Sequence, residues 1–230
     1  MSGATIGDRW RSVRDAVVAA CARAGRDPRG ITIVAVSKKH PASAIEEAYA
    51  AGVTDVGENY AQELVDKAGQ VRSPVRWHFI GRLQRNKVRL VLGSVLIHAV
   101  DSPRLAEEIE RRAAEAGMVQ AVLVEVNVAG EDTKGGVAAA HAGMLVSALA
   151  GMPHVRCDGL MTMPPPPPAG APEASRPYFA ALRELRDELA THERPLPVLS
   201  MGMSADFEAA VIEGATHLRV GTAIFGPRPR

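Results

Sequence analysis

The chain is predicted to be an α/β protein, a single-domain (β/α)8 TIM barrel over residues 1–230 with an extra helix at its N-terminus. Three observations point there. Short runs rich in Ile and Val alternate strictly with amphipathic helical patterns, and such alternation favours a parallel sheet. Eight such runs can be counted, the number that closes a barrel. The competing open, doubly wound sheet usually carries a G-x-G-x-x-G turn after its first strand, and none is present.

The elements follow in order. Trp10, Val13, Val17, Val18 and Cys21 recur at helical spacing, giving a leading helix from Asp8 to about Ala24 that stops near Gly25. I-T-I-V-A-V-S-K-K-H-P, Ile31–Pro41, is the first buried strand and its turn; Pro41 opens a helix over 42–51, which Gly52 ends. A strand over 53–59 precedes a helix from Tyr60 to about Gln70, and a strand over 75–81 precedes a short helix from Leu83 to Leu92. Strand 94–100 leads to a helix capped by Ser102 with Pro103 at its first position, ending at Gly117. Strand 121–128, a helix from Val137 to Leu149 and strand 155–163 come next. Pro164–Gly170 reads as an extended, exposed loop, followed by a helix from Glu173 to Thr191. Strand 197–203, a helix from Ser204 to Glu213 and strand 217–226 finish the pattern.

Composition narrows the class. The chain has 230 residues, 47% apolar and 23% charged, as expected of a protein with a full core. A formal net charge of +1 does not steer it toward nucleic acid, and the run Arg82, Arg85, Lys87 and Arg89 reads as a solvated helix face. Two cysteines, Cys21 and Cys157, make no disulfide framework, so a reducing cytoplasm is the expected setting. The N-terminus carries no signal-peptide core, and no stretch approaches the ~20 apolar residues of a membrane span. The seven histidines form no metal-ligand spacing.

Barrels keep their chemistry at the carboxyl ends of the strands. Those ends carry Lys38 or Lys39 after the first; Glu58 and Asn59 after the second; His78 and Gly81 at the third; Asp101 after the fourth; and Asn127 in the fifth. Met161 and Thr162 stand in the sixth, Ser200 and Ser204 around the seventh, and Arg219, Gly221 and Thr222 in the eighth. A lysine at such a turn is partly desolvated, which lowers its pKa and frees the amine as a nucleophile. S-M-G-M-S, with Ser204 in N-cap position, and R-V-G-T lie where barrels often hold phosphate, on backbone N–H groups after the last two strands. An amine at the first strand and a phosphate cup at the last two describe a pyridoxal 5′-phosphate site. Arg219 shares a face with Gly221; as a pure donor it would keep a pyridine nitrogen unprotonated. The plainer expectation for Arg219 is a salt bridge to Glu58 or another carboxylate at the barrel top.

A-V-S-K-K-H-P, G-E-N-Y-A-Q-E, W-H-F-I-G-R-L-Q-R-N-K, G-L-M-T-M, L-S-M-G-M-S-A-D-F-E-A-A and R-V-G-T-A-I-F-G, in this order, resemble the pyridoxal-phosphate homeostasis proteins over about residues 9 to 227. The resemblance implies a barrel like the amino-terminal domain of alanine racemase, with the cofactor held as an internal aldimine on Lys38 rather than Lys39. It implies phosphate contacts from Ser204, Gly221 and Thr222, a ring nitrogen near Arg219, and Asn59, His78 and Met161 lining the cofactor. Lys134 matches a family lysine near the pocket mouth that holds a second cofactor or assists transfer. Lys39-His40 and the proline-rich loop depart from the family pattern.

Racemisation needs a base on each face of the substrate carbanion. Relatives that racemise take the second from a tyrosine of a further domain, whereas this sequence ends at Arg230 and offers only Tyr60 at the barrel top. The expected function is therefore a cytoplasmic, monomeric pyridoxal 5′-phosphate carrier that delivers its cofactor to apo-enzymes, with no nucleic-acid or membrane partner. A weak racemase or lyase is the alternative.

Overall fold

The computed structural model describes residues 4–131 and 135–227. Helix α1 (Ile6–Arg23) begins at a capping box, in which Thr5 Oγ1 accepts from the Asp8 N–H and the Asp8 carboxylate accepts from the Thr5 N–H. Its buried stripe, Ile6, Trp10, Val13, Val17, Ala20 and Cys21, packs outside the barrel against the chain's last helices. Arg9 Nε donates to Ile224 O at 2.7 Å and ties this helix to the C-terminal end.

The barrel strands are β1 (Thr32–Val36), β2 (Asp55–Glu58), β3 (Arg76–Phe79), β4 (Leu96–Val100), β5 (Gln120–Asn127), β7 (Val155–Met161), β8 (Val198–Ser200) and β9 (His217–Val220). A two-residue strand, β6 (Val137–Ala138), pairs with the end of β5 outside the barrel. All pairings are parallel, in the order β4-β3-β2-β1-β9-β8-β7-β5, and a β4–β5 pairing closes the ring. The expected eight-stranded closed barrel is thus observed. Helices α2 (Ala42–Ala50), α3 (Ala61–Ala68), α4 (Val88–Val91), α5 (Pro103–Glu115), α6 (Ala139–Ala150), α7 (Arg176–Leu189), α8 (Phe207–Ile212) and α9 (Thr222–Phe225) follow the strands.

The core has two parts. Between wall and helices lie Ile45, Val56, Phe79, Ile97, Ile109, Leu145, Leu160 and Phe179, each worth roughly 1.5–3 kcal/mol of burial. Inside the ring, Leu96, Ala99, Ala121, Leu123 and Met161 form a small apolar cluster. The rest of the interior is polar: Asp55, His78, His98, Ser200 and Arg219 are all buried.

Four elements differ from expectation. The pattern at Leu83–Leu92 yields a 3-10 turn (Arg85–Lys87) and the single turn α4, because the segment stops at Gly93, where φ is +87°. The helix expected from Val137 starts two residues later, since Val137 and Ala138 pair with β5. The last strand ends at Val220, and Thr222, expected within a strand, opens α9. Ser204 is not an N-cap: α8 starts at Phe207 behind Asp206, whose Oδ1 accepts from Met203 N–H at 2.7 Å and Oδ2 from Ser175 Oγ at 2.9 Å. Pro164–Pro168 forms no regular element, as expected, although Pro164 itself is buried.

Candidate functional site at the carboxyl ends of the strands

A cavity of about 780 Å3 opens at the carboxyl ends of the strands. Lys38, Asn59, Met161, Ser204, Arg219, Gly221 and Thr222, all singled out in the sequence, line it together. This volume lies in the usual range for small-molecule sites.

The turn after β1 separates the two lysines. Lys38 lines the cavity, whereas Lys39 is exposed, in the left-handed region at φ +65°. Its backbone N–H donates to Glu63 Oε1 at 2.6 Å, which holds that uncommon conformation. Beneath the turn, Lys67 Nζ from α3 donates to Ser37 O at 2.7 Å and to Glu58 Oε1 at 2.7 Å. Ser37 Oγ donates to the same carboxylate oxygen at 2.5 Å. Glu58 is fully buried, and burial pushes its carboxyl up despite Lys67 and Ser37. The Arg219–Glu58 salt bridge expected from sequence is not formed: Glu58 pairs with Lys67 through Oε1, and Arg219 bonds to Ser200 Oγ and Thr162 O.

On the opposite wall, the N–H groups of Gly221 and Ala223 converge on Ser204 Oγ, each at 3.2 Å. The serine hydroxyl thus serves the β9 turn instead of capping a helix. A Cβ on Gly221 would stand 3.4 Å from Val36 O, an ordinary contact. Gly81 is more constrained: a Cβ there would fall 2.0 Å from Asn59 O.

Arg219 forms the floor. Nη1 donates to Ser200 Oγ at 2.6 Å and Nη2 to Thr162 O at 2.8 Å. Burial lowers its pKa to about 10, with Glu125 and Asp206 acting the other way. Two hydrogen bonds on one side leave the remaining guanidinium donors for the cavity. Glu125, two residues before Asn127 on the same strand face, also lines the cavity; burial and Asp101 push its carboxyl up against Arg219 and Arg82.

Several strand-end residues stand elsewhere: Glu58, Asp101, Asn127 and Thr162 do not line this cavity. His78 and Ser200 also do not line it but lie beneath it, where Ser200 meets Arg219 from behind and His78 bonds to His98 and Asp55. Strand periodicity places these side chains inside the barrel, but not at a given depth. Lys134 lies outside the described residues.

Tyr60, the tyrosine expected at the barrel top, lines the cavity; Glu125, Phe79, Met163 and Met203 line it without having been singled out, as do Arg82 and Lys87 from the basic run. Alternation from Asn127 could have flagged Glu125; the loop residues carried no periodic signal. Among the described residues, no group of His, Cys, Asp and Glu could hold a metal ion, and no helix is long and apolar enough to cross a membrane.

Comparison with known proteins agrees with this architecture. Residues 15–229 match the family described as the N-terminal domain of alanine racemase. The pyridoxal phosphate homeostasis protein of Aquifex aeolicus is 46% identical over 224 residues, 96% of this chain and 97% of that one. Its namesake from Pseudomonas aeruginosa is 41% identical over 226 residues, 97% of this chain and 96% of that one. PipY of Synechococcus elongatus, solved with PLP bound, superposes with a TM-score of 0.82 at 34% identity, covering 96% of this chain and all of PipY (100%). A barrel of this topology, matched along nearly its whole length by such relatives, belongs to the alanine racemase N-terminal domain family and, within it, to the pyridoxal phosphate homeostasis proteins.

Proposed function

We propose that this protein binds pyridoxal 5′-phosphate covalently through the Lys38 amine and hands it on to apo-enzymes. The observation that carries the reading is that Lys38, the Ser204–Gly221–Thr222 wall and Arg219 line one cavity of about 780 Å3. The donor chemistry fits the group. The phosphate needs N–H and hydroxyl donors; Ser204, Gly221 and Thr222 line the cavity, and the Gly221 N–H, bonded here to Ser204 Oγ, would have to turn to the phosphate with that hydroxyl. A pyridine nitrogen needs a donor that does not give up its proton, and Arg219, still basic at a pKa of about 10, meets that need. Bound there, the cofactor would supply an aldehyde that condenses with the Lys38 amine, with loss of one water. Hydrolysis or exchange with another amine would release it.

The chain's own residues do the holding. Glu63 and Lys67 fix the turn that carries Lys38; Ser200 and Thr162 fix Arg219; Asn59 and Met161 bound the sides. A racemase reading asks for a base on each face. Tyr60 is the only tyrosine lining the cavity among the described residues, and at 56% exposed it stands largely in solvent.

Borohydride reduction of the loaded protein followed by peptide mapping tests the reading. A phosphopyridoxyl group on Lys38 is the expected result; label on Lys39, or none, overturns it. Transfer is tested by mixing loaded protein with an apo-enzyme and following recovery of that enzyme's activity against free cofactor at equal concentration. Stereoinversion of an amino acid, lost on Lys38→Ala, would favour the racemase.

A further inference from the structure

Behind Arg219 a line of hydrogen bonds crosses the barrel interior. Arg219 Nη1 meets Ser200 Oγ at 2.6 Å, and Ser200 Oγ meets His98 Nδ1 at 2.8 Å. His98 Nε2 meets His78 Nδ1 at 3.0 Å, and His78 Nε2 meets Asp55 Oδ1 at 2.9 Å. Five strands contribute one residue each: β9, β8, β4, β3 and β2. All five side chains are buried, where polar groups need hydrogen-bond partners.

With both imidazoles neutral, the two ends set the direction of every link. A guanidinium only donates, so Ser200 Oγ accepts from Arg219, and its own proton goes to His98 Nδ1. In that arrangement His98 Nδ1 is the bare nitrogen and His98 carries its proton on Nε2. His98 Nε2–H then donates to His78 Nδ1, so His78 is also protonated on Nε2, and it donates to the Asp55 carboxylate. A carboxylate only accepts, which closes the chain without a conflict. Burial would raise the Asp55 pKa, but hydrogen bonds from His78, Arg76 and Thr54 outweigh it and hold the carboxyl far below its ordinary value.

We propose that His98, His78 and Asp55 are positioning residues for Arg219, forming a one-way hydrogen-bond chain that keeps both imidazoles neutral, as Nε2–H tautomers, and holds Ser200 as a fixed acceptor behind the guanidinium. The link to the cofactor rests on the function proposed above; the tautomers do not. Two further observations support neutrality. His98 is surrounded by His78 on β3, Ser200 on β8, and His217 and Arg219 on β9. Burial, together with His78, Arg219 and His217, pushes its pKa well below the ordinary value. A proton added at His98 Nδ1 would also make Ser200 Oγ accept twice and set an imidazolium against the guanidinium.

Asp55→Asn provides the sharpest test. Arg76 Nη2 donates to Oδ2 of Asp55 at 2.6 Å and only donates, so an amide here keeps its oxygen toward Arg76 and turns its NH2 toward His78. His78 must then accept at Nε2 and donate from Nδ1, and His98 must follow, donating from Nδ1 to Ser200 Oγ, which accepts from Arg219 as well. The imidazole links reverse while the Arg219 link keeps its direction.

The experiment is 15N NMR of the imidazole nitrogens in the protein without cofactor at neutral pH. Expected are Nε2–H tautomers at His78 and His98 in the wild type and Nδ1–H at both in Asp55→Asn. Protonated His98, or an Nδ1–H tautomer in the wild type, overturns the chain; so does an unmoved His98 tautomer in a folded Asp55→Asn. Should that variant not fold, the wild-type tautomers decide. Dissociation of pyridoxal 5′-phosphate is the second readout. Ser200→Ala and His98→Leu should release it roughly tenfold faster, the cost of one lost hydrogen bond. His98→Asn, whose amide oxygen can still accept from Ser200, should recover most of that loss. Unchanged release in Ser200→Ala overturns the positioning role. A wild type that binds no cofactor overturns the proposed function and leaves the tautomers to judge the chain.

Discussion

Lys67 reaches from α3 beneath the turn that carries Lys38 and ends 2.7 Å from Glu58, inside the protein. The pair is almost wholly desolvated, with side-chain exposures of 7% and 0%. Such a pair adds little net stability relative to an apolar one, but removing a single partner strands the other charge. Lys67 also donates to Ser37 O, so the ion pair and the geometry of the turn that carries Lys38 are one structure.

Lys67→Met should therefore destabilise the protein by about 3–5 kcal/mol, by leaving Glu58 buried without its cation. Urea denaturation measures this. A loss under about 1 kcal/mol would show that Glu58 takes up a proton without strain, and the turn would then not depend on Lys67.

Lys38→Ala and Lys39→Ala should separate cleanly. Lys38→Ala should abolish the borohydride-stable label, because that side chain lines the cavity, whereas Lys39→Ala should keep it, because that side chain is exposed. Mass spectrometry of the intact reduced protein reads both. Equal labelling of the two variants would mean that neither lysine is the attachment point.

Gly81→Ala should be costly out of proportion to one methyl group. The added carbon would lie 2.0 Å from Asn59 O, which is backbone and cannot rotate aside. Shifting the Asn59 turn should cost at least the 1–3 kcal/mol typical of overpacking. It should also weaken cofactor retention, since Asn59 lines the same cavity. A thermal melt and equilibrium dialysis would show both effects together, and a variant as stable as the wild type would refute the close approach.

Glu125 should make stability depend on pH in a particular direction. Burial raises its pKa above the ordinary 4.5. A carboxyl with a raised folded pKa binds its proton more tightly in the native state. Its stabilising contribution is complete below pH 4.5 and is lost as pH rises through the folded value. At neutral pH the native protein bears the cost of an ionised, buried carboxylate. Glu125→Gln should hence raise the melting temperature at pH 7, with the gain shrinking to nothing below about pH 4.5. The same increment at both pH values would assign the effect to packing rather than ionisation.

Much of this architecture was legible before any coordinates. Strict β/α alternation identifies the barrel because a parallel strand buried on both faces must be short, apolar and followed by a crossover. The same logic placed Lys38, Asn59, Met161, Ser204, Arg219, Gly221 and Thr222 at strand ends, and all of them line one cavity. Boundaries were less legible. The sheet ends at Val220 because the Gly221 N–H is taken by Ser204 Oγ, a bond between two distant loops that local propensity does not encode.

What the sequence by itself determined is the order of elements and which face of each strand turns inward, since both follow from period and burial over a few residues. What only the tertiary structure decided is depth and partner. It gave Glu58 to Lys67 instead of Arg219, and set Ser200 and His78 a layer below the cavity on a line to Asp55. Those outcomes depend on the stagger between neighbouring strands and on hydrogen bonds between residues up to 102 positions apart, as between His98 and Ser200. The physical reason is that inward direction is a property of one strand, whereas a buried polar group's partner is chosen by the whole ring of strands that closes around it.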